Sequence, residues 1–242
     1  MKKVLFFSLL LSLCASLSFG QVSLTNSSPS VTIDFSASTP SSVGTNPTSA
    51  YTGSGFEPNP TTAGRLNSNA WAVTGWTDGN LPFGGTATAG DYARGTAGTA
   101  VTTGGFYAYT GSPGSNSNPI FWIQQATNDF DPGTLTLRLK NDGTTAITSL
   151  TISYNVYYRN DAPRSSKIQF QHSSDDLTYT TESDLDVTTP QSASFGTIVL
   201  VDDDNDSNTP SRAITLSSLN ILPGNLYYLR WNFPFYDRYR CA

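Results

Sequence analysis

The chain holds a single histidine in 242 residues, His172, and only two cysteines, Cys14 and Cys241. Hydrolytic triads and zinc centres are built from imidazole and thiolate groups, so one imidazole leaves little material for either. No Gly-x-Ser-x-Gly elbow accompanies it. Glutamate is nearly as scarce: Glu57 lies in a proline-rich stretch and Glu182 at a polar strand end, and neither has the aromatic surroundings that raise the pKa of a glycosidase acid. No catalytic constellation emerges, and the expectation is a chain that is not an enzyme. Charged residues make up only 13% of the chain, with 13 Lys and Arg against 18 Asp and Glu. An acidic chain without a basic stripe lacks the electrostatic footprint of a nucleic-acid binder. Apart from residues 4–13, which are too few to cross a bilayer, there is no long apolar run, so no membrane span is expected.

What is present begins with an export signal. Lys2 and Lys3 form a basic start, residues 4–13 an apolar stretch, and Ser18-Phe19-Gly20 places small residues at the two positions a signal peptidase reads. A lipidated Cys14 is the competing reading, but Leu13 is too large for the residue before it. Residues 1–20 are therefore expected as a signal peptide cleaved near Gly20, and the mature chain as secreted or held at the cell surface. Cleavage removes Lys2 and Lys3, leaving eleven basic against eighteen acidic side chains, a net charge of −7. It also removes Cys14, so an internal disulfide is excluded and burial with hydrogen bonding must hold the fold.

Hydrophobic residues at 37% and aromatics at 12% suit a packed core, while abundant Ser, Thr, Asn and Gly supply turns. Leu135, Leu137 and Leu139 alternate with Thr136, Arg138 and Lys140; Ile152, Tyr154, Val156 and Tyr158 alternate again, then Ile168 and Phe170. Period two marks strands with one buried face. Asn141-Asp142-Gly143 and Asn160-Asp161 with Pro163 punctuate them, so the reading is a three-stranded meander. Further strands are expected at Val31–Phe35, 70–76, 106–109, 120–125, 177–181, 198–201, 213–219 and 226–231. Residues 36–69 read as a long loop lying across the molecule or carrying short strands of its own. No segment shows a 3.6-residue period. The fold class expected is an all-β antiparallel β-sandwich, jelly-roll-like, of about ten strands, spanning residues 31–231 after a flexible leader at 21–30. Residues 232–242 read as an atypical tail, truncated or out of frame.

Two groups of residues carry candidate chemistry. Asp202, Asp204, Asp206 and Asn208 fall at alternate positions, a spacing at which hard oxygen ligands wrap calcium. An EF-hand is excluded, because Ser207 stands at its glycine position and Ala213 at its bidentate glutamate position. A generic calcium loop and a solvated acidic turn remain. Trp76, Tyr107 and Tyr109 are candidates to stack on sugar rings, although core packing competes for the same rings; alternation puts Trp71 and Trp76 on opposite faces, so that only one of the two is free for this. His172 continues the Ile168 and Phe170 face and reads as a satisfied sandwich residue, and Arg164 as a tie between loop carbonyls.

Several stretches together resemble a jelly-roll-like module near the start of large secreted and cell-surface proteins of bacteria that use type IX secretion. They are residues 65–75 (RLNSNAWAVTG), Ala93-Arg94-Gly95 through 103–108 (TGGFYA), Asn160-Asp161 with Arg164-Ser165, and residues 171–175 (QHSSD). The resemblance covers residues 60–231 and implies one domain of a longer protein, with no catalytic residues assigned. The composite expectation is a secreted, non-catalytic module for surface attachment or glycan binding, with polysaccharide or neighbouring domains as partners. The alternatives are a structural spacer stabilised by calcium and the N-terminal fragment of a secreted hydrolase.

Overall fold

The computed structural model describes residues 21–26, 29–37, 49–126, 129–159, 165–189, 199–200 and 212–234. Fifteen strands appear among them, in the order β1 Val22–Leu24, β2 Phe56–Glu57, β3 Leu66–Asn67, β4 Trp71–Thr74, β5 Thr96–Ala97, β6 Gly105–Tyr109, β7 Ile120–Gln124 and β8 Gly133–Asn141. They continue as β9 Leu150–Tyr154, β10 Tyr157–Tyr158, β11 Lys167–Ser173, β12 Thr180–Thr188, β13 Val199–Leu200, β14 Arg212–Leu216 and β15 Leu226–Phe233. Gly90–Tyr92 forms one 3-10 turn. The count exceeds the ten expected because five of the strands are only two residues long.

The principal sheet has six strands in the order β1-β8-β15-β11-β12, with β4 also paired to β8. Its long central strands follow from the alternation: Leu135, Leu137 and Leu139 stand opposite Trp231, Leu229 and Tyr227, and all six side chains share the inner face. Behind this face lie the three-stranded sheet β5-β6-β7 and the pair β9-β14. The layers are joined by rings. Tyr154 of β9 meets Trp231 at 5.7 Å and Phe170 at 6.0 Å, while Phe106 of β6 packs 5.0 Å from Trp76 and 5.7 Å from Phe130. Phe56, Phe106, Phe130 and Phe170 are fully buried. Each such side chain contributes about 1.5–3 kcal/mol of burial, and together they hold the two layers against each other. The architecture is a β-sandwich.

The expected meander does not form. β15 inserts between β8 and β11, and β9 crosses to the other layer to pair with β14. Asn141 explains the departure. Its buried side chain donates from Nδ2 to the carbonyls of Thr145 and Ile221 and accepts Gly143 N–H, so the Asn-Asp-Gly turn is anchored to the β14–β15 connection and steers the chain out of the sheet. Residues 21–30 are not all leader: Val22–Leu24 pairs in parallel with Leu139–Asn141 and buries Val22 and Leu24. Val31–Phe35 forms no strand, although Val31, Ile33 and Phe35 do pack on the core, so the alternation placed the face but not the pairing. The 36–69 stretch carries two short strands, β2 and β3. Residues 1–20, the Asn160 to Arg164 turn and the 235–242 part of the tail lie outside the described residues.

Candidate functional site

The expected stacking aromatics are interior. β4 ends at Thr74, and Gly75 takes φ +104°, where a Cβ would run into the Pro132 carbonyl; this reversal swings Trp76 under the sheet. There it stacks on Phe130 at 4.6 Å and is 4% exposed, so of its two readings, sugar stacking and core packing, the structure has it packed in the core. Tyr107 and Tyr109 are also buried: Tyr107 donates to the Thr103 carbonyl, and Tyr109 stacks on Trp122 at 5.1 Å. None of the three presents a free ring face. The acidic stretch Asp202, Asp204, Asp206 and Asn208 lies outside the described residues. Among the described residues no group of three or more His, Cys, Asp or Glu gathers as metal ligands.

His172 has partners on both nitrogens. Nε2 lies 3.0 Å from Glu182 Oε1 and donates to it, so in the neutral ring Nδ1 accepts the Tyr227 hydroxyl at 2.6 Å. All three residues project from the inner face. Glu57 is a loop tie: burial works to raise its carboxyl, but Thr62 N–H, the Arg65 guanidinium and Thr61 N–H outweigh it and hold the group below its usual value.

The outer face of the principal sheet is where polar groups converge. β8 presents Thr134, Thr136 and Arg138, β15 presents Asn232, Arg230 and Tyr228 opposite them, and β11 adds Gln169, Gln171 and Ser173. The Thr74 and Thr134 hydroxyls bond at 2.7 Å, Arg230 Nε donates to Thr136 at 3.1 Å, Asn232 to Gln169 at 3.2 Å and Gln171 to Thr181 at 3.0 Å. Aromatic rings border this lattice. The Arg138 guanidinium lies 4.4 Å above Phe83, whose ring is 5.9 Å from Tyr228, and the Arg230 guanidinium lies 3.4 Å above Tyr179.

A groove of about 290 Å³ runs between the 80–83 loop and this face, lined by Thr74, Asn80, Phe83, Thr136, Asp176 and Arg230 among others. Burial, reinforced by Asp176, raises the pKa of the Tyr179 and Tyr228 hydroxyls. Across β4-β8-β15-β11-β12 the face is roughly 19 Å wide, at ~4.8 Å per strand. A larger cleft of about 970 Å³ opens between the layers, lined by core residues such as Trp71, Leu137, Ile152, Tyr154 and Trp231, and continues the hydrophobic interior.

Sequence reading missed this polar face. Its signal was present in the polar half of each alternation, at 134/136/138, 228/230/232 and 169/171/173, but only the pairing of β15 between β8 and β11 sets the three rows side by side. Nothing local to Phe83 marks it.

Fold and face together define an all-β sandwich with a polar, ring-bordered groove on one sheet. Set against known protein families, curated proteins and solved structures, the chain matches none.

Proposed function

We propose that this chain is an exported, non-catalytic β-sandwich module that binds an extended polysaccharide along the outer face of its principal sheet. The observation that carries the reading is the outer-face lattice of Thr, Gln, Asn and Arg side chains beside the rings of Phe83, Tyr179 and Tyr228. Sugars offer hydroxyls around the ring edge and C–H groups on its faces. A binding site for them therefore needs donor and acceptor rows together with flat apolar surfaces. Thr hydroxyls give one donor and two acceptor positions each, and guanidinium and amide groups add planar donors. The hydrogen bonds within the lattice fix those groups before a ligand arrives, which lowers the ordering cost of association. Export is supported by Lys2, Lys3 and the apolar run that follows, and a non-catalytic role by the engagement of both His172 nitrogens.

The test is titration of the purified protein against soluble polysaccharides, with Phe83→Ala and Tyr228→Ala beside the parent. Loss of one ring contact worth about 1 kcal/mol weakens binding roughly fivefold. Silence across the polymers, or binding untouched by both substitutions, contradicts the reading.

A further inference from the structure

We infer that the groove takes an uncharged polysaccharide. The inference rests on the glycan reading above and narrows it to a chemical class, and it comes from how the charges of the outer face are arranged. Arg230 Nη2 lies 3.4 Å from Asp176 Oδ1, and the Tyr179 hydroxyl beneath that guanidinium donates to the same carboxylate oxygen. Arg138 donates to the Asn69 carbonyl at 2.5 Å; burial lowers its pKa, while Tyr228 and Asp176 act in the opposite direction, so Asp176 bears on both arginines. Asp175, on the same turn, acts on Tyr228 as well. Farther out, Lys140 is paired with Asp142 at 2.6 Å and Lys167 with Asp186 at 3.0 Å.

Each of these four cations thus sits beside a carboxylate or flat on a ring. Its N–H groups are engaged and its charge is answered within the protein. A polyanion draws its affinity from unpaired cations and from the counterions it releases. Here it would have to displace Asp176 to reach Arg230, and would approach an acidic chain, with 18 Asp and Glu against 13 Lys and Arg before export and eleven after it. An uncharged sugar meets neither obstacle. It finds hydroxyl partners at Thr74 and Thr134 and the Phe83 ring in the groove, and Gln169, Asn232 and Tyr228 farther along the same face.

Affinity electrophoresis of the purified protein separates the outcomes, using gels that hold hydroxyethyl cellulose, galactomannan or xylan as neutral polymers and alginate or polygalacturonate as anionic ones. The expected result is retardation by at least one neutral polymer that does not change from low to high salt, with no retardation by the anionic polymers. Retardation confined to the anionic gels and abolished by salt overturns the inference while leaving the glycan reading standing. No retardation in any gel overturns both. Asp176→Asn tests the cause: by freeing Arg230 it gains affinity for alginate several-fold, provided its thermal midpoint shows it folded. Phe83→Ala, which removes one ring contact, weakens neutral-polymer retardation roughly fivefold, and unchanged retardation contradicts the account.

Discussion

Tyr51 shows how one polar atom in a core can be costly. The side chain is almost wholly buried among Phe35 and Phe121, and its hydroxyl meets no hydrogen-bond partner among the described residues. Burial alone pushes its pKa far up. Removing an unsatisfied buried hydroxyl recovers its desolvation penalty, so Tyr51→Phe is expected to raise stability by about 1 kcal/mol, read as a higher thermal midpoint. A lower midpoint would contradict that packing. Asn141 is the opposite case, because its amide satisfies two carbonyls and one N–H. Asn141→Ala leaves them stranded and is expected to cost about 1–3 kcal/mol in denaturant unfolding. The polar half of the sequence pattern foretold neither, since an Asn before Asp-Gly reads as a turn residue whether or not it is buried.

At the scale of elements, alternation reported faces well and neighbours badly. Leu135, Leu137, Leu139 and Phe170 all point inward, and so do Val31 and Ile33, yet Val31–Phe35 pairs with no strand among the described residues. Period two tells which side of a strand is apolar; it does not tell which strand lies alongside, because that is settled by contacts distant in sequence. The polar outer face was illegible for this reason, being an adjacency of β8, β15 and β11 rather than a property of any one of them. Trp76 was misplaced because the strand pattern was carried two residues too far, past Gly75. At φ +104°, with a Cβ that would lie 2.4 Å from the Pro132 carbonyl oxygen, Gly75 accepts no side chain without movement. Gly75→Ala is therefore expected to destabilise by more than about 1 kcal/mol and to increase Trp76 solvent exposure, as seen by fluorescence quenching. An unchanged midpoint would mean that the reversal is not fixed there.

For the whole molecule, titration gives a directional test of the core. Burial raises the pKa of Tyr51 and Tyr154, so the folded state keeps protons that the unfolded chain releases above about pH 10. Their stabilising contribution is complete below that pH and is lost as pH climbs, so the thermal midpoint falls and tyrosinate absorbance rises together with unfolding. Tyrosinate appearing in full before unfolding would contradict the burial. On the acid side, the carboxyls of Glu57 and Asp142 are held low by their hydrogen bonds and cations despite burial, and Asp175 by the N–H groups of Thr178 and Leu177. Their contribution is present above the ordinary carboxylate range of about 4 and is lost as pH falls below it. The functional claim is a claim about one face of the sandwich, and hydroxyl-radical footprinting of the protein with and without a bound neutral polysaccharide addresses it most directly. The account predicts reduced labelling at Phe83, Tyr179 and Tyr228, with Tyr107, Tyr109 and Trp122 unchanged. Protection of Tyr107, Tyr109 and Trp122 with the outer face unaltered would contradict it.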